Sequence, residues 1–405
     1  MKKTIEITDF MEDVKKIQVI SFMNAFSEGV SGGDTAFIEV FKRINLKNHL
    51  ILTSSLGEKL CRQMGLDAQF VLTTREREFG SVMITYALRI IVGSVQAFFL
   101  PIPKVIYVSS DILPDVIPAI CLKIKASVMR RKVIVFQKFF HLNHKSRFIS
   151  YYMQLISIKL MNLYADRVST CSSISAGVIQ HLGVKEDLVK INHLGVDDEL
   201  ISESEPLNEV FDAVFIGRLH ESKGIFDIVP VWQKIVDKLP NATLGVVGMA
   251  DRVFKETFEC QIRKEQLEKN IKFLGYRAGK DAYAYLKSSK VFFFPSHEEG
   301  FGIVLAEAMT AGSAVVAYDL EVYKETFGSS IYTAKCFDYS DFADKVLCLL
   351  QDENLRLNIV SRAKEIAKKF TWNNCAKREY REISKTYTKK IKLSPSEVMK
   401  ATKKS

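Results

Sequence analysis

In the stretch PSHEEGFGIVLAEAMTAG, Pro295 to Gly312, one carboxylate, Glu307, stands among Leu305, Ala306, Ala308 and Met309, eight positions after Glu299 in a glycine-rich turn. Burying a carboxylate is costly unless something hydrogen-bonds it. The apolar run VFFFP (291–295) reads as a strand buried on both faces. The turn therefore lies at the C-terminal end of that strand, where open α/β sheets bind ligands. Gly300 and Gly302 allow a ligand close to the backbone, and a helix starting near Gly302 offers free N–H groups and its dipole to an anion. Two carboxylates, each an acceptor of hydrogen bonds from a diol, beside an anion-binding helix start describe a nucleotide-sugar site. The alternative is a structural ion pair between Glu307 and a Lys or Arg of a neighbouring helix.

A second constellation, FIGRLHESKG (215–224), delivers Arg218 and Lys223 from a strand to the same edge of what is predicted to be the same sheet. Arg binds phosphate bidentately and Lys acts as a point charge, so the two suit a diphosphate leaving group. Standing alone they would read as solvated loop cations. In the first half of the chain, SEGVSGGDTAFIEVF (27–41) places Gly32 and Gly33 at the start of a helix directly after a strand, a phosphate-tolerant turn. The dinucleotide fingerprint G-x-G-x-x-G and the nucleoside-triphosphate loop are both missing. His141, with His144 close by, follows the strand ending near Gln137 and is a candidate cleft residue, although a lone His is more often structural.

These residues need a scaffold of alternating strands and helices, the mark of parallel α/β units. Strands are predicted at 17–23, 49–54, 105–110, 132–137, 167–172 and 189–195. After an acidic, Pro-containing linker (196–209) they resume at 212–217, 242–248, 270–275, 291–295 and 313–319. Phe37, Val40, Phe41 and Ile44 mark one helix face; Ile225, Ile228, Trp232, Ile235, Val236 and Leu239 mark another, which Pro230 should kink or begin. The expected domains are 1–200, with 1–16 as an N-terminal extension, 201–375, and a basic helix and frayed tail over 376–405.

A chain of 405 residues with 47% hydrophobic and 26% charged residues fits a soluble protein of two domains. Seven scattered cysteines without a C-x-x-C pair argue against a disulfide framework or a zinc site. The N-terminus shows no secretory h-region, so a cytoplasmic location is expected. The net charge of +10 is uneven: Val116 to Ala165 holds nine Lys or Arg and no Asp or Glu. That segment, 116–165, is a candidate contact for an anionic membrane surface on the inner face of the cell membrane; the alternative is packing of its apolar residues inside the first domain. The apolar stretch 82–103 is expected to be a buried helix leading into a strand, not a transmembrane span.

The set S-G-G, then G-R-L-x-x-x-K-G, then P-S-x-x-E-G-F-G-x-x-x-x-E-A-M-x-x-G, in this order, resembles family 4 of the retaining glycosyltransferases, and the likeness extends to 165–184 and 370–380. The resemblance implies a GT-B fold, two Rossmann-like domains facing across a cleft, with the C-terminal helix crossing back to the first. It implies that Glu299 contacts the donor hexose beside the N–H groups of Phe301 and Gly302, with Gly300 also in the donor-binding turn. Glu307 would bind the ribose hydroxyls, Arg218 and Lys223 the diphosphate, and Gly32 and Gly33 would close against it, with His141 as the cleft histidine. YDLEVYKETF (318–327) departs from the pattern by lacking a glycine pair before Glu325.

The expected activity is metal-independent transfer of a hexose, with retention, from a UDP- or GDP-linked sugar to a glycan or lipid-linked acceptor, with no cofactor and no nucleic-acid partner. The absence of a D-x-D pair and of a confident carboxylate nucleophile favours front-face departure and attack. Rival readings are a sugar-nucleotide epimerase or phosphorylase of the same architecture, a basic nucleic-acid binder, or an inactive sugar-nucleotide binder.

Overall fold

The computed structural model describes residues 17–25, 31–75, 81–249 and 252–392. The expected extension 1–16, positions 27–30 of the first glycine turn and the expected frayed tail beyond 392 lie outside them. The chain divides into two compact units, one running to His193 and resuming at Trp372, the other spanning Leu194–Thr371.

The N-terminal unit is built on strands β1 (Val19–Met23), β2 (His49–Thr53), β3 (Gln69–Leu72), β4 (Val105–Val108), β5 (Ile134–Phe139), β6 (Arg167–Thr170) and β7 (Val189–Ile191). They form one parallel sheet in the order β3-β2-β1-β4-β5-β6-β7, with Val19 opposite both His49 and Val105. One face buries Ile20, Phe22, Ile106, Val108, Val135 and Phe139 against Leu122, Met161 and Ile179. On the other face, helix Gly32–Ile44 packs Phe37 and Phe41 on Tyr107, whose ring stacks on Phe136 at 6.5 Å.

The same unit holds the C-terminal helix Trp372–Tyr387, which lies beside helix Gly32–Ile44. Its Glu379 is buried and accepts hydrogen bonds from Tyr107 Oη (2.8 Å), Asn192 Nδ2 (2.5 Å) and Ser169 Oγ (3.1 Å), with Lys138 Nζ at 3.3 Å. Burial opposes ionisation of Glu379, but Lys138 and these donors outweigh it and hold its pKa below the usual range.

The C-terminal unit carries β8 (Phe211–Ile216), β9 (Leu244–Val247), β10 (Ile271–Gly275), β11 (Ser289–Phe294), β12 (Ala314–Tyr318) and β13 (Tyr332–Ala334). These also form one parallel sheet, in the order β10-β9-β8-β11-β12-β13. The strand order reverses between β8 and β11, where Val291 pairs with Ala213, so the loops leaving these two strands lie side by side. Helix Ile225–Val236 covers β11 through Trp232, edge-on to Phe293 at 5.8 Å. Pro230 sits in its second turn and does not begin it.

Two expectations are corrected. The acidic stretch 196–209 is not a linker between the units: Val196 N–H donates to the Phe370 carbonyl at 2.9 Å, and Asp197 caps a short helix, Asp198–Glu203, so its acids serve a helix start. The stretch 82–103 is not a buried helix: helix Val82–Phe99 exposes Ile91 and Phe98, each at 61%. It buries Thr85, Arg89, Gly93 and Ala97 instead. Gly93 lets it lie close, since a Cβ there would meet Pro118 Cγ at 3.0 Å. Among the described residues it is the one helix long and apolar enough to cross a membrane.

Candidate active site

The loop after β8 turns sharply at Gly224, in a left-handed conformation (φ 67°). A Cβ there would stand 1.9 Å from the Pro295 carbonyl oxygen, so only glycine lets this loop approach the end of β11. The two loops are then stitched together. His297 N–H donates to the Ser222 carbonyl at 3.0 Å, and Ser296 Oγ to the same carbonyl at 3.2 Å. Lys223 Nζ reaches across to the Glu298 carbonyl (3.1 Å) and to Glu299 Oε1 (2.6 Å). Both side chains of this ion pair are mostly buried. Arg218 lies on the β8 loop with its side chain exposed.

Gly302 (φ 93°) precedes helix Ile303–Ala311, and a Cβ there would press on the Tyr323 ring at 2.9 Å. Phe301 is buried, its ring edge-on to Phe370 at 5.4 Å and Phe327 at 5.9 Å. Its side chain therefore anchors the turn Gly300–Gly302. Glu307, on the second turn of the helix, accepts a hydrogen bond from Tyr283 Oη at 3.0 Å. No Lys or Arg among the described residues forms an ion pair with it, which removes the structural ion-pair alternative. Protein packed around this carboxyl pushes its pKa up to about 7, the Tyr283 bond pulling it down and the Asp197 charge adding to the rise.

Two residues of this unit escaped the sequence reading. Asp227 is buried under the site, its Oδ2 bonded to His297 Nε2 (2.7 Å) and Tyr318 Oη (2.8 Å). It ties the helix after Lys223 to the PSHEEG loop. A carboxylate inside the apolar run GIFDIVPVW is the same signal that singled out Glu307. Tyr323 is wholly buried, and its hydroxyl has no hydrogen-bond partner; the nearby Glu299 charge and, above all, burial push its pKa well up.

Gly32, Gly33 and His141 belong to the N-terminal unit. Gly32 and Gly33 open helix Gly32–Ile44 behind a Ser31–Asp34 capping box, and a Cβ at Gly33 would meet the Phe140 ring at 2.9 Å. The turn after β1 is pinned by buried Asp115, which accepts from Ala25 N–H at 2.8 Å and from the Asn24 N–H. His141 is half-buried in the loop after β5, and its carbonyl accepts from Gln154 Nε2 at 2.9 Å. The same amide donates to Asp111 Oδ2 at 2.8 Å. Burial raises the Asp111 pKa to about 6 against the pull of Gln154 and His141, so this carboxylate, also missed from sequence, answers electrically to His141. Among the described residues no group of His, Cys, Asp or Glu is placed to hold a metal.

Residues 197–366 match the family model described as glycosyl transferases group 1, and the site lies within the match. The C-terminal unit is a glycosyl transferases group 1 domain. The chain is 30% identical over 166 residues to a phosphatidyl-myo-inositol mannosyltransferase of Mycolicibacterium smegmatis, covering 40% of this chain and 41% of that protein. It is 29% identical over 167 residues to the O-antigen chain mannosyltransferase B of Escherichia coli, covering 40% and 43%. The chain thus spans about two fifths of the length of these relatives. Among solved structures, Anabaena HepE in complex with UDP and glucose matches 91% of this chain and all of its own, with a TM-score of 0.74 at 19% identity. Sucrose-phosphate synthase of Thermosynechococcus elongatus matches 91% and 99%, also at 0.74, with 14% identity. At such identities the likeness establishes the fold, which is GT-B. The group 1 domain accordingly carries Arg218, Lys223, Glu299, Gly300, Phe301, Gly302 and Glu307 at one sheet edge, while Gly32, Gly33 and His141 stand in the other Rossmann-like domain.

Proposed function

We propose that the protein is a retaining glycosyltransferase that moves a hexose from a UDP- or GDP-linked sugar to a glycan or lipid-linked acceptor. The observation that carries this is the Lys223–Glu299 pair, held between the β8 and β11 loops at the start of helix Ile303–Ala311, with Glu307 on the same helix. The likeness to HepE in complex with UDP and glucose and to two mannosyltransferases supports it.

In this reading Glu307 accepts hydrogen bonds from the ribose diol and Glu299 from a hydroxyl of the hexose. Arg218, Lys223 and the N–H groups at Gly300–Gly302 neutralise the diphosphate, with no metal required. The bond between the anomeric carbon and the diphosphate oxygen breaks, and its electron pair leaves with the diphosphate. The acceptor hydroxyl attacks from the same face and passes its proton to a diphosphate oxygen. The domain 1–200 takes the acceptor, with Gly32, Gly33 and His141 lining its part of the reaction. The basic segment 116–165 places the protein on the inner face of the cell membrane.

The test is a panel of UDP- and GDP-hexoses with total lipid and glycan extracts, the product's anomeric configuration being read by NMR. An α-linked product from an α-linked donor supports the reading. An inverted product, or a free sugar-nucleotide epimer in its place, refutes it.

A further inference from the structure

We infer that helix Val82–Phe99 is the element by which this protein lies on an anionic phospholipid surface. The inference rests on the membrane contact proposed above and moves its centre from segment 116–165 to a helix outside it.

The helix is inside out for a water-facing element. Its inner stripe is Thr85, Arg89, Gly93 and Ala97, small or polar and buried. Arg89 is 1% exposed and donates from Nη1 to the Asn24 carbonyl at 3.1 Å and from Nε to Thr74 Oγ1 at 3.3 Å, fixing the helix to the sheet. Its outer stripe is Ile84, Ile91, Val95 and Phe98, all exposed, at the spacing of one helix face. Soluble surfaces scatter single apolar residues; a stripe along a helix of about 27 Å marks an interaction surface. Because the opposite face is bonded to the sheet, the helix lies along an interface and does not span one.

The patch continues onto the neighbouring helix Leu113–Val128, where Ile124, Val128 and Met129 are exposed. Lys125 joins the two, donating to the Leu100 carbonyl at 2.6 Å with its ammonium 5.8 Å from the Phe98 ring. Arg130, Arg131 and Lys132 follow, all exposed. From Ser81 to Ala165 the chain has only two acids, Asp111 and Asp115, and both are buried. An apolar stripe with a cationic rim and no exposed carboxylate is complementary to acyl chains beneath anionic headgroups. A second copy of this chain fits poorly, since a symmetric contact would set Arg130, Arg131 and Lys132 against their own equivalents.

Flotation of the 405-residue chain with vesicles of phosphatidylcholine alone, and of phosphatidylcholine with phosphatidylglycerol, tests this. Wild type should float with the anionic vesicles only. The double substitution Ile91→Asp, Phe98→Asp should cut the bound fraction about tenfold or more, and Arg130→Glu, Arg131→Glu should do likewise, high salt weakening wild type in the same direction. These side chains are exposed, so both variants should keep the wild-type melting temperature. Val253→Asp, an exposed site on the other unit, is the control. Wild type that floats while Ile91→Asp, Phe98→Asp floats equally overturns the role of this helix and leaves the membrane contact standing. Wild type that floats with neither vesicle overturns both. A wild-type dimer that Ile91→Asp, Phe98→Asp disperses, without flotation, assigns the face to a second copy and overturns the inference.

Discussion

Lys223 Nζ lies 2.6 Å from Glu299 Oε1, so the cation proposed for the diphosphate and the carboxylate proposed for the hexose hold each other in place. The pair bridges loops from two strands that are far apart in sequence and adjacent in the sheet. Each residue presets the other's geometry, which leaves less to organise when a ligand arrives.

Glu299→Gln and Lys223→Ala should therefore each lower kcat by about two orders of magnitude or more. The double variant should be little worse than either single one, because the residues act as a unit. Steady-state kinetics of the three variants, with melting temperatures to separate folding from chemistry, checks this. Additive losses would mean that the pair is not a functional unit.

Glu307 gives a pH signature. Its folded pKa is raised from an ordinary value of 4.5 to about 7, so the proton is held below that pH and lost as pH rises through it. A ribose diol donates to the ionised form, so nucleotide binding should tighten as pH rises toward about 7 and then level off. Calorimetry in buffers of different ionisation enthalpy should detect a proton released on binding at pH 6. Removing the Tyr283 bond, which favours the carboxylate, should move the profile to higher pH in Tyr283→Phe. For the free protein the sign runs the other way: the raised pKa contributes stability below 4.5 that is lost as pH rises through 7. Glu307→Gln should accordingly raise the melting temperature more at pH 8 than at pH 5.

Gly224→Ala should unfold or misplace the β8 loop. The new methyl would lie 1.9 Å from the Pro295 oxygen, with the backbone at positive φ. A loss of about 2 kcal/mol or more in chemical denaturation is expected, with nucleotide binding lost even where the fold survives. Gly183→Ala, at a positive φ with nothing within 4 Å of the new methyl, is the control for the backbone contribution alone.

Central strands were legible because a strand covered on both faces reads as an unbroken apolar run, as in VFFFP. The edge strands β3 (QFVL) and β13 (YTA) were not; they are short and partly exposed. Helix Val82–Phe99 departs from its expected burial because apolar composition alone does not decide which face packs: Thr85, Arg89, Gly93 and Ala97 face inward. Glu307 stood out as a charge in an apolar run, and Asp227 carried the same signal unheeded. The Lys223–Glu299 contact could not be read along the chain, since it depends on the sharp turn at Gly224 and on β8 lying beside β11.

Glu379 joins the last helix to the N-terminal sheet, and its removal would strand Lys138. Among the described residues, the one other hydrogen-bond acceptor of Lys138 Nζ is Ser169 Oγ, at 2.8 Å. Glu379→Ala should cost about 3–5 kcal/mol, because it leaves a buried ammonium without its counter-charge. Glu379→Gln with Lys138→Met should recover most of that loss, since the charge is removed from both sides. The lowered pKa of Glu379 sets the pH sign: its stabilisation is present above the ordinary carboxyl value and lost as pH falls through the depressed one. Acid titration of wild type should thus release helix Trp372–Tyr387 from the sheet before the C-terminal unit unfolds. Hydrogen exchange at Cys375, Glu379 and Ile383 across an acid series reads this directly. Protection that persists there until the whole chain melts would show that the apolar contacts of Trp372, Tyr380 and Ile383 hold the helix without the ion pair.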